Sequence, residues 1–202
     1  MAETPSKPAA PKAAPAATGG PFSSSRVSDI IGVYKLDKEA MTRISGLPGM
    51  NDAFIYLVIA GILSGLMSTR VAGAAMGTAI IGGIITGIIG MFIAAGVIHL
   101  AAGKLLGGKG EFRNYFNVIA HTAVFFTLVA LILVAISPAL TTIVGLMALW
   151  LLVVNVVVVK VVYGFTTGRA IGAIILGIVL LFVIQFALAA TVGFAALGML
   201  AL

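Results

Sequence analysis

His99 and His121 are the two histidines of this 202-residue chain, and with Asn155 they are the polar groups set deepest in apolar runs. An imidazole can carry a proton, ligate a metal or accept a hydrogen bond, and an ionisable group at membrane depth is a functional candidate by default. His99 lies eight residues before Gly107, and His121 lies eight residues after Arg113. At roughly 1.5 Å of helical rise per residue, both sit about 10–12 Å from the intervening loop, at similar depth. Such a pair either lines a path for protons or solute, or packs helices together as neutral hydrogen-bonding groups.

Other chemistries lack their residues. With no cysteine in the sequence, disulfides, thiolate catalysis and Cys-based metal sites are excluded together. Two imidazoles without a nearby carboxylate or thiolate form an incomplete ligand set, so no metal or cofactor is expected. The six acidic residues lie in the tail, in a short pre-span helix or at span flanks. Carboxylates buried in the bilayer, the usual carriers in ion-coupled pumps, are therefore missing. Neither a Ser–His–acid set nor a paired carboxylate is present for hydrolysis, and the expected protein is not an enzyme. Asn155, in LLVVNVVVV, cannot leave its amide unpaired in hydrocarbon and is expected to face another helix. Gln185 invites the same expectation, and Lys160 is placed to snorkel toward the headgroups.

The elements that position these groups are membrane helices. Hydrophobic residues make up 61% of the chain and charged residues 9%, far from the balance of a soluble domain. Several apolar runs exceed the length of about 20 residues that a bilayer core requires. The sequence predicts an all-α, polytopic helix bundle with five spans over about 53–69, 75–105, 115–137, 139–162 and 170–200. The early half of the second, VAGAAMGTAIIGG, is weakly apolar, which leaves open a tilted helix or a break near Gly82 and Gly83. Residues 1–35 are expected to form a disordered, Ala- and Pro-rich tail, with the membrane domain over 36–202. Its start lacks a signal-peptide core, so the first span is expected to direct insertion. Within the domain, residues 37–45 read as a short interfacial helix: Asp37 as N-cap, Glu39 and Arg43 as an i,i+4 pair, and Leu36, Met41 and Ile44 on an apolar face.

Between the second and third spans stands GVIHLAAGKLLGGKGEFRNY, residues 96–115. Gly107, Gly108 and Gly110 fall where a helix must stop, beside Lys104, Lys109 and Arg113. Phe112 and Tyr115 are expected at headgroup level. Gly103, Gly108 and Lys109 match most of a P-loop, but residue 110 is Gly where Ser or Thr should hold magnesium, and an apolar helix precedes the turn. HLAAGKLLGGKGEFRNYFNVIAH resembles the signature hairpin of the Yip1-domain family, with a His on the second span and then a GGKG-S-F-R-like turn. The resemblance is close over about 96–121 and looser over about 36–200; KEAMTRI before the first span is similar to prokaryotic members. His121 stands where a Tyr is common in the family, and Phe125 where a Pro often follows. The resemblance implies five membrane helices with a cytoplasmic N-terminus. Eukaryotic members are linked to Rab GTPases and vesicle traffic, while bacterial and archaeal members have no settled role.

Eleven of the twelve Lys and Arg residues fall in the tail, the pre-span helix and the two loops on the same side of a five-span chain, leaving Arg70 alone opposite. That asymmetry places the N-terminus in the cytoplasm, and the charge speaks of anionic headgroups rather than nucleic acid. The expected location is the cell membrane, or the ER or Golgi membrane in a eukaryote. Small-xxx-small pairs at Gly61/Gly65, Gly73/Gly77, Gly83/Gly87 and Gly168/Gly172 serve either internal packing or homo- or hetero-oligomers. The functional expectation is a non-enzymatic membrane-organising scaffold or protein-contact module. The alternatives are a small-solute or ion pathway lined by the second to fourth helices, and an accessory subunit of a larger membrane complex.

Overall fold

In the computed structural model, residues 19–200 are described, with side chains to residue 187. Seven α-helices follow one another: α1 Ser24–Tyr34, α2 Lys38–Ser45, α3 Asn51–Ala72, α4 Met76–His99, α5 Phe112–Ile136, α6 Thr141–Tyr163 and α7 Thr167–Leu200. Five segments are long and apolar enough to cross a membrane: Asn51–Ala72, Met76–Leu105, Phe112–Ile136, Pro138–Tyr163 and Thr167–Ala187. The chain is thus an all-α, five-span bundle, with no strand among the described residues.

The second span is unbroken at Gly82 and Gly83. Its irregularity comes at the other end, where α4 widens into a π-helical turn over Leu100–Leu105. The glycines of its early half are instead contact surfaces against α3. A methyl group on Gly61 would stand 2.6 Å from the Ile84 Cα, and one on Gly65 would stand 2.6 Å from the Ile80 Cα. Gly83 meets the backbone at Gly61 and Gly65 in return. Without hydrophobic drive between helices in lipid, such close backbone approach supplies the packing attraction. Gly73, Gly77, Gly168 and Gly172 make no comparable approach among the described residues.

The segment before the first span departs from the sequence expectation. Residues 1–18 lie outside the described residues, but 24–34 form α1 rather than a disordered tail. Ser23 caps it by accepting from the Arg26 N–H, and Ile30 and Val33 are buried. Composition missed this helix because its order comes from partners elsewhere in the chain rather than from propensity. Tyr34 donates to the Thr122 carbonyl at 2.6 Å, and the Trp150 indole donates to the Tyr34 carbonyl at 3.2 Å. Burial pushes the Tyr34 pKa up, so its hydroxyl remains a donor.

Helix α2 occupies the expected position, with Asp37 accepting from the Glu39 and Ala40 N–H groups and Gly46 as C-cap. Its apolar face does not meet lipid. Ala40, Met41 and Ile44 are buried, and α2 packs on α1, α5 and α6. Arg43 does pair with Glu39, at 3.8 Å, but its main partner is Asp29 of α1 at 2.7 Å. That hydrogen bond raises the Arg43 pKa and fixes the two helices together.

Candidate functional site

The glycine turn is built by its neighbours. After the π-helical turn, Leu106 N–H donates to the Ala101 carbonyl at 3.0 Å and Gly108 N–H to the Ala102 carbonyl at 2.9 Å. Gly107 between them takes φ 66°, a left-handed value that favours glycine. Gly108 and Gly110 are glycines for a different reason: the α6–α7 turn lies directly on them. A Cβ at Gly108 would stand 2.8 Å from Phe165 and 2.9 Å from Tyr163, and one at Gly110 would stand 2.6 Å from the Val162 carbonyl. Lys109 N–H donates to the Tyr163 carbonyl at 3.3 Å. Arg169, after the same turn, donates to the Leu106 carbonyl and stands 5.0 Å over the Phe165 ring. Arg113 reaches forward, donating to the Pro48 carbonyl at 3.2 Å and pairing with Glu111 at 3.4 Å. The α4–α5 turn, the α6–α7 turn and the entry to α3 therefore form one end of the bundle.

Just below the turn, His99 Nδ1 and the Tyr163 hydroxyl are hydrogen-bonded at 2.9 Å. The His99 ring also meets Phe112 edge-on at 6.0 Å, and Gly103 sits against it. Phe112 is half-buried and joins Phe92 and Phe116 in an aromatic cluster. Tyr115 is not at headgroup level. It is buried, and its hydroxyl donates to Asn155 Oδ1 at 3.1 Å, while Asn155 Nδ2 donates to the Leu151 carbonyl at 3.1 Å. Asn155 thus faces α5. Gln185 is exposed and faces no neighbour among the described residues. Lys160 is half-exposed, and its ammonium donates to Thr167 at 2.8 Å.

His121 belongs to a different neighbourhood. It is fully buried, donates from Nδ1 to the Asn117 carbonyl at 2.6 Å, and lies 4.4 Å from the Tyr56 ring of α3. Equal depth does not bring the two histidines together: His99 turns to α6, His121 to α3. Sequence reasoning misplaced Tyr115 and missed Tyr163, Tyr56 and Arg26. The tyrosines carried a legible signal, since a hydroxyl at membrane depth needs a partner as surely as an amide does. A cavity of about 370 Å³ opens between α4, α5, α6 and α7, lined by residues including Ile98, Tyr115, Thr122 and Asn155. Its polar lining is already engaged, Thr122 with the Ile119 carbonyl at 2.8 Å and Tyr115 with Asn155.

Five apolar helices tied at one end by a glycine turn define a multi-pass membrane protein, with His99–Tyr163 and Tyr115–Asn155 joining helix to helix. The model of the Yip1 domain matches residues 31–189, and the chain belongs to the Yip1 domain family. No curated protein and no solved structure matches it.

Proposed function

We propose that this protein is a non-enzymatic membrane scaffold that presents a rigid, basic platform to anionic headgroups and to protein partners at the cytoplasmic face. The observation that carries this reading is the Lys109–Tyr163 backbone hydrogen bond, with Gly108 and Gly110 packed beneath Tyr163, Phe165 and Val162. It spends the family's motif residues on architecture and leaves their cations outside. Lys104, Lys109, Arg113 and Arg169 are exposed at this end, with Glu111 the acid among them. Basic residues beside a bilayer contribute about 1 kcal/mol each toward an anionic surface. The excess of Lys and Arg on this side of the five spans supports a cytoplasmic position for it and for the N-terminus, in the cell membrane.

The deciding experiment is affinity purification in mild detergent, followed by identification of co-purifying chains. A scaffold brings down a reproducible partner, or a second copy, that is lost when Lys104, Lys109, Arg113 and Arg169 are changed to Gln. A monodisperse protein without partner that conducts solute when reconstituted contradicts it. The cavity beside Tyr115 and Asn155 supports the second reading, a small-solute pathway. Its polar groups are already paired within the bundle, which favours the scaffold.

A further inference from the structure

Beneath α1 lies a group of buried polar atoms that helix packing leaves unexplained. Arg26 is 2% exposed, and Asn117 and His121 are 0% exposed. Arg26 reaches Asp52 through Nη2 alone, at 3.5 Å, and its Nε and Nη1 have no protein partner. Neither do His121 Nε2, Asn117 Oδ1 and, one turn earlier on the same face of α5, Asn114 Oδ1. Arg26, His121 and Asn117 gather around the start of α3. Asp52 holds Arg26, Tyr56 lies against His121, and the carbonyl of Gly49 accepts from Asn117 Nδ2 at 3.0 Å.

The unpaired atoms define what can join them. The Asn117 carbonyl only accepts, so His121 Nδ1 carries its proton, and Nε2 of the neutral ring is a bare acceptor. Asn117 Oδ1 is a second acceptor, while Arg26 Nε and Nη1 are donors. A guest must therefore accept from Arg26 and donate to His121 and Asn117. An anion such as chloride has nothing to donate, and Asp52 already balances the Arg26 charge. Water meets both demands, and buried waters typically make about three such bonds. A polar recess of about 150 Å³, lined by Leu47, Pro48, Gly49, Asn51 and Asp52, adjoins the group through the residues that hold Arg26 and Asn117.

We infer that this space is a hydration site: ordered water bridges Arg26 of α1 to His121 and Asn117 of α5, entering past the start of α3. His121 is then wetted from the basic end of the bundle although no surface of it is exposed. The site goes beyond the scaffold proposal and does not depend on it.

Solid-state NMR of the full chain in lipid vesicles, labelled with ¹⁵N-histidine, reads the site directly. With two histidines in the sequence, His99→Gln assigns the His121 signals. The expected spectrum shows a neutral ring protonated at Nδ1, a hydrogen-bonded Nε2, and polarisation transfer from water to that ring. Replacing chloride by bromide leaves its shifts unchanged, and Arg26→Leu reduces the water transfer several-fold while Nδ1 keeps its proton. A dry ring in the wild-type protein, a proton on Nε2, or a shift on adding bromide overturns the assignment, and all three are read from wild-type spectra once His99→Gln has told the two rings apart.

Discussion

The His99 ring and the Tyr163 hydroxyl share a hydrogen bond of 2.9 Å that joins the second span to the fourth, 64 residues apart in sequence. It sits beneath the turn whose backbone is itself bonded to Tyr163, so one tyrosine fixes both the loop and the helix leading into it. Changing His99 to Phe or Tyr163 to Phe is expected to lower stability by about 1–2 kcal/mol each, the scale of an interhelical hydrogen bond in a membrane. Thermal unfolding in detergent of both single variants and the double variant checks this. The double variant should lose clearly less than the two single losses added together, because they break the same bond.

Gly108 and Gly110 lie under the α6–α7 turn, so adding a methyl group there forces backbone and aromatic rings apart. Gly108→Ala and Gly110→Ala should each cost about 1–3 kcal/mol, the usual range for overpacking. Lys109→Ala, between them, removes an exposed charge and should leave the unfolding temperature nearly unchanged. Equal tolerance at all three positions would show that the turn is not packed as described.

The Asp29–Arg43 pair is asymmetric, since Asp29 is 7% exposed and Arg43 28%. Arg43→Ala leaves a buried carboxylate without its cation and should destabilise by about 3 kcal/mol, whereas replacing both partners with leucine should restore much of that loss. On the same helix, Met41→Ser and Ile44→Ser loosen the packing of α2 on α1, α5 and α6 rather than alter a lipid-facing surface. Limited proteolysis of the reconstituted protein should then cut faster within residues 24–46, with the spans still inserted.

Single cysteines at Lys109 and Arg169 should resist an impermeant thiol reagent in intact cells, and one at Ala139 should react. Both inner positions belong to one hydrogen-bonded end of the bundle, so they must share a fate whatever the orientation. Reaction at Lys109 from outside reverses the proposed topology.

The spans were legible in the sequence because runs of about 20 apolar residues have few alternatives to a membrane helix. Which helix meets which was not legible, because a lipid-facing leucine and a helix-facing leucine look alike when lipid is as apolar as protein. Gly61, Gly65 and Gly83 announced close approach, but only the structure shows that they meet each other. Helix α1 was hidden for a related reason: Ser-rich and short, it is held by Tyr34, Asp29 and Arg26, whose partners lie 88, 14 and 26 residues away. The glycine turn was recognisable as a motif, yet the demand on Gly108 and Gly110 comes from Tyr163, Phe165 and Val162, which no local pattern connects to it.

Flux and stability measured together on one variant separate a scaffold from a pathway most directly. Wild-type protein and His99→Phe are reconstituted into vesicles loaded with a pH-sensitive dye, and thermal unfolding is recorded on the same preparations. A scaffold predicts no proton or solute flux above empty vesicles for either protein, and a lower unfolding temperature for the variant. A pH-dependent flux in the wild type, abolished by His99→Phe while the unfolding temperature stays constant, would contradict it.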